Sequence, residues 1–136
     1  MKTALIFTLT TTAIWAQDWK PSKIVEMAEY PALAHLARIQ GTVEVKCILD
    51  SGGAVVTAES LSGPSELREF ARQNALRWRF QRVSKEALNN NLVTLKYRFL
   101  LKGEPQPQNR TRTTFVFEPP DKIQVVTTPP TLRGAD

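Results

Sequence analysis

Among 136 residues there is one cysteine, Cys47, and one histidine, His35. A single thiol cannot close an internal disulfide. One Cys with one His also falls short of the ligand set a zinc site needs, so neither metal nor cofactor is expected. Glycine is scarce, with six residues. The pair Gly52-Gly53 lacks both the Walker lysine and the third glycine of a dinucleotide fingerprint, which excludes a phosphate loop. Catalysis by a nucleophile–base pair has no support, since His35 lies near a helix start without an evident partner. No apolar run reaches the roughly 20 residues of a membrane-crossing helix. No RNA- or DNA-binding motif appears, so nucleic acid is not an expected partner.

What is present describes a small folded protein. Apolar residues make up 42% and charged residues 23%, too apolar a balance for a disordered chain. The length holds one small domain, two at most. Lys2 is followed by the apolar, Thr-rich run from Ala4 to Ala16, and Gln17-Asp18 begins a polar stretch. A basic end, a short apolar core and a small residue mark residues 1–16 as a secretory signal peptide, cleaved between Ala16 and Gln17. The alternative is an uncleaved segment tethering the chain to the inner membrane. Removing the segment takes away Lys2 and leaves a net charge of +4. An exported protein of that charge is attracted weakly to anionic headgroups and wall polymers, so membrane contact is at most peripheral.

Along the rest of the chain, residues 17–29 read as a polar lead-in. Pro31 suits the first position of a helix, and Ala32 to Ile39 continue it, with Leu33, Leu36 and Ala37 on one face and Gly41 as its stop. Residues Thr42 to Asp50 alternate, so Val43, Val45, Cys47 and Leu49 face a core and Cys47 reads as a core thiol. Asp50 to Gly53 is a hairpin turn, and Ala54 to Leu61 returns as a strand bulged near Val55-Val56. Past Ser62-Gly63-Pro64, the residues Leu67, Phe70, Ala71, Asn74, Ala75 and Trp78 recur at helical spacing, the clearest amphipathic helix in the chain. Arg68, Arg72, Arg77 and Arg79 read as a solvated face. Residues 81–91 form a polar loop. Leu92 to Lys102 alternates as a third strand, with Val93, Leu95, Tyr97, Phe99 and Leu101 on its apolar face. Beyond Gly103 the chain becomes Pro-rich, with strand-like runs at Thr113–Glu118 and Lys122–Thr127, and prolines at strand ends mark edge strands.

These elements carry a series of specific residues in order. They are Tyr30-Pro31, Arg38-Ile39-Gln40-Gly41-Thr42-Val43, the Asp50–Gly53 turn, Ser62-Gly63, and Trp78-Arg79-Phe80. Together they resemble the C-terminal domain of the TonB family of energy transducers, over about residues 28–103. Tyr30, Pro31, Gly41, Gly53, Gly63, Trp78 and Phe80 are the structural positions of that resemblance. It implies a two-layer α+β fold in the periplasm: a small antiparallel sheet of three core strands, plus one or two tail strands, covered on one face by two helices. The resulting division is a signal peptide (1–16), a lead-in (17–29), the TonB C-terminal-like domain (30–103) and a Pro-rich extension (104–136).

The resemblance also implies a function without catalysis. The domain would contact outer-membrane transporters or other envelope proteins, taking an extended segment beside its last strand by strand addition. Carried onto this chain, the accepting border is the third strand, with Leu92, Thr94, Lys96, Arg98 and Leu100 facing the guest and His35 as a second contact. One tail strand is expected to pair with that border. The alternative is a structural envelope protein that self-associates, for instance as a homodimer, with no part in energy transduction. TonB proteins carry a membrane anchor and a long Pro-rich spacer; here only about a dozen residues separate the signal segment from Tyr30.

Overall fold

The computed structural model describes residues 18–83 and 91–131. The expected cleavage point at Ala16-Gln17, most of the polar loop and the last five residues lie outside the described residues. Within them the order is β1 (Trp19–Lys23), α1 (Ala32–Leu36), β2 (Gly41–Leu49), β3 (Val55–Ser60), α2 (Ser65–Leu76), β4 (Arg79–Arg82), β5 (Leu92–Leu101), β6 (Thr114–Glu118) and β7 (Lys122–Thr127). The fold is α+β, as expected.

Five strands form one sheet in the order β3-β2-β5-β7-β6. Neighbours run antiparallel except β5 and β7, which are parallel, so the sheet is mixed rather than purely antiparallel. The parallel pair arises because β6 and β7 form a hairpin of their own, closed by Pro119-Pro120-Asp121. The long connection from Gly103 carries β6 to the far border and β7 back between β6 and β5. The lead-in contains a strand: β1 pairs with β4 as a separate two-stranded ribbon. Neither was legible in the sequence, because each is short and Pro21 interrupts β1.

Period-two alternation sends one side chain in two toward the helices. Val43, Val45, Cys47, Val93, Leu95, Tyr97, Phe99, Ile123 and Val125 are all fully buried on that face. From α2, Leu67, Ala71, Asn74 and Ala75 meet them. Cys47 is the core thiol its position implied, and burial pushes its pKa up to about 12. The bulge falls where expected: Ile48 pairs with Thr57 and Leu49 with Val55, leaving Val56 over.

Two helix faces differ from the sequence reading. In α1 the inward residues are Ala34 and His35, while Leu33 is 75% and Leu36 58% exposed. Five residues are too short for periodicity to choose a face, and the contacts of His35 decide it. Phe70 of α2 is half-exposed, at the margin of the stripe. The stop of α1 is Arg38, which takes the left-handed conformation (φ 59) three positions ahead of Gly41.

Candidate functional site

The sequence reading puts the accepting border at the third strand, and the structure gives that strand a neighbour on both sides. β5 lies inside the sheet. β2 pairs with it from Leu92 to Phe99, and β7 pairs with its other side from Lys96 to Leu101. The Lys96 N–H donates to Asp121 O at 2.9 Å and the Lys102 N–H to Thr127 O at 2.9 Å. The backbone expected to receive a guest is therefore bonded to the chain's own tail along most of its length. The side chains of Leu92, Thr94, Lys96, Arg98 and Leu100 stand on the sheet face away from the helices. There Lys96 and Arg98 share a shallow open depression with Thr42, Glu118 and Lys122.

His35 is likewise not an exposed contact. It is 4% exposed, and its Nε2 lies 2.8 Å from Thr128 O. A carbonyl only accepts, so Nε2 carries the proton and donates. Arg38 Nη2 donates to Pro130 O at 2.7 Å, and Thr127 Oγ1 to Arg112 O at 2.9 Å. The region of α1 thus grips the end of β7. Side chains complete the attachment: Ile123 and Val125 are fully buried, and Phe115 and Phe117 reach the Trp78 ring at centroid distances of 6.5 and 5.7 Å. The tail is part of the core.

The structural positions of the sequence reading are each held by identifiable contacts. Tyr30 packs edge-on against Phe99, and its hydroxyl donates to Ile39 O at 2.6 Å. Pro31 precedes the first turn of α1. Gly41 opens β2 with Pro64 lying close above it. Gly53 (φ 90) and Gly63 (φ 108) adopt left-handed backbone, and at each a Cβ would run into main chain, Phe80 O and Thr42 O respectively. Trp78 and Phe80 stack at 6.0 Å, both buried.

Asn74 is the residue whose importance the sequence concealed, since it occupied an apolar-stripe position. Its Oδ1 accepts from Trp78 Nε1 (3.0 Å) and from the Tyr97 hydroxyl (2.7 Å), while its Nδ2 donates to Val25 O (2.7 Å). This network fixes α2, β5 and the lead-in together and leaves no polar atom of the amide idle. Among the described residues no group of His, Cys, Asp and Glu could hold a metal.

The sheet ends at β3 and β6. The Leu61 N–H donates to Glu44 O at 2.7 Å. By alternation, Thr57 and Glu59 turn their backbone groups to β2, and Ala58 and Ser60 turn theirs outward. The bulged Val56 is 57% exposed. β4 touches only the start of this border, through the Ala54–Arg79 bridge.

This order of helix, hairpin, helix and strand coincides with a family comparison. A family model described as Gram-negative bacterial TonB protein C-terminal matches residues 26–101, more than half of the chain. The chain belongs to the TonB C-terminal family. Comparison with curated proteins gave no match. Members of this family are non-catalytic interaction domains of the bacterial envelope. The TonB C-terminal match stops at Leu101, the last residue of β5, so the two strands that close the sheet beside β5 lie beyond it.

Proposed function

We propose that this TonB C-terminal domain is a periplasmic, non-catalytic interaction module. It binds an extended segment of an outer-membrane transporter or another envelope protein by strand addition, with the guest adding at β3 rather than β5. The observation that carries this reading is the occupied flank of β5: the chain supplies in cis a strand at the border where the family resemblance placed a guest. Displacing β7 means exposing Ile123 and Val125, at roughly 1.5–3 kcal/mol each, before any guest contact forms. At β3 the outward groups of Ala58 and Ser60 offer main-chain hydrogen bonds, and the exposed Val56 offers a side-chain contact.

Site-specific photocrosslinking in whole envelopes separates the possibilities. A probe at Val56 is expected to capture an outer-membrane receptor or another envelope protein, and a probe at Arg98 to capture none. Capture of that partner from Arg98 alone would overturn the assignment to β3. Products consisting only of copies of this chain, with a size-exclusion mass rising with concentration, would replace the module reading with a self-associating structural protein.

A further inference from the structure

The ribbon formed by β1 and β4 presents a one-sided charge pattern. Trp19 and Phe80 point inward, 1% and 2% exposed. Alternation therefore turns Lys20, Arg79 and Gln81 outward, and past the register shift Lys23 stands directly across from Arg79. Two cations placed opposite each other repel, so this register is unfavourable for the isolated fold. Neither has an ion-pair partner among the described residues, where the ion pairs are Arg72–Glu69 and Lys96–Asp121, both elsewhere. Arg82, next along β4, lies with its guanidinium carbon 4.5 Å from the centre of the Trp19 ring. The apolar Ile24 and Val83, 38% and 42% exposed, follow the two strands directly. The acids nearest the ribbon in sequence are Asp18 directly before β1, Glu26 three residues beyond it and Glu86 four residues beyond β4.

We infer that the outer face of this ribbon is a docking surface for a bilayer rich in anionic headgroups. Lys20, Lys23 and Arg79 lie over the phosphates, with Ile24 and Val83 at the interfacial margin. The charge fits such a surface, which attracts each cation held close to it. The position in the chain fits as well. The apolar run Ala4–Ala16 ends three residue steps before Trp19. Three steps span at most about 10 Å, so while that run engages a membrane the ribbon lies about one Debye length from the headgroups. The site uses none of the backbone offered by β3.

Vesicle co-sedimentation of the chain from Gln17 to Asp136, which contains every described residue, tests this without the apolar run. Phosphatidylglycerol vesicles at 50 mM salt are expected to retain the protein, and phosphatidylcholine vesicles, or 300 mM salt, to release it. The triple variant Lys20→Gln, Lys23→Gln, Arg79→Gln is expected to lose at least about tenfold in partition. A second triple variant, Lys46→Gln, Arg98→Gln, Lys122→Gln, removes the same charge from the bare sheet face and is expected to bind as the parent does. Tryptophan emission confirms that both variants are folded. Equal loss in the two variants, or parent-like binding by the ribbon variant, would overturn the inference. So would absence of binding to phosphatidylglycerol at low salt.

Discussion

His35 Nε2 donates to Thr128 O across 2.8 Å, joining residues 93 positions apart. The bond ties α1, inside the family-matched region, to the end of a strand that lies outside it. It converts a Pro-rich extension into a fixed part of the sheet. Replacing His35 by Ala leaves that carbonyl without its partner inside a closed contact, at a cost of about 1–3 kcal/mol. Urea denaturation should show a lower midpoint, and hydrogen exchange should show the protection of β7 falling before that of β2.

Deletion of residues 104–136 removes Ile123 and Val125 from the core and Phe115 and Phe117 from its margin, and bares the flank of β5. The shortened chain is expected to aggregate or unfold at ordinary temperature. A peptide covering residues 113–128, added in trans, should restore solubility and near-parental tryptophan emission. A truncated chain as soluble and as stable as the parent would show that the tail is dispensable.

Asn74→Ala strands the Trp78 indole N–H, the Tyr97 hydroxyl and the Val25 carbonyl together. The expected loss is about 2–4 kcal/mol, more than for any single hydrogen bond. Trp78→Ala should cost about 3–5 kcal/mol by opening a cavity among Phe80, Phe115 and Phe117. Thermal melts of both variants check the two figures.

The neighbouring glycines of the hairpin should behave oppositely. At Gly53 a Cβ meets the Phe80 carbonyl in a left-handed backbone, whereas at Gly52 its nearest neighbour is Asp50 Oδ1 at 3.5 Å. Gly53→Ala is expected to destabilise by more than about 1 kcal/mol, and Gly52→Ala to be nearly neutral.

Alkaline pH should unfold the protein ahead of any main-chain chemistry. Burial raises the Cys47 thiol from 9.0, and the Tyr30 phenol from 10.0, to about 12, and pushes Tyr97 upward as well. The folded state keeps protons that the unfolded chain releases, so stability is whole below pH 9 and falls as pH climbs toward 12. Tyr30→Phe should flatten part of that slope, read from urea midpoints between pH 8 and 11. Cys47 should resist thiol reagents until the chain unfolds.

Local pattern made much of the domain legible. Strict alternation located the partners β2 and β5, and the bulge could be placed because Val55 and Val56 stand side by side. The spacing from Leu67 to Trp78 located α2, because twelve residues suffice for a 3.6-residue period to show. The same logic failed for α1, where five residues cannot distinguish the Leu33–Leu36 face from the Ala34–His35 face. Asn74 was hidden because a polar residue on an apolar stripe reveals its purpose only through its partners.

By itself the sequence determined the five strands of the main sheet and the long helix, the buried thiol, the turn glycines and the family, because each follows from interactions between near neighbours or from a motif read in order. Only the tertiary structure decided that β7 lies parallel to β5, that His35 faces inward to hold it, and that β1 meets β4 as a basic ribbon. Strand neighbours far apart in the chain are chosen by which apolar faces can be buried together, and that choice leaves no local mark on either strand.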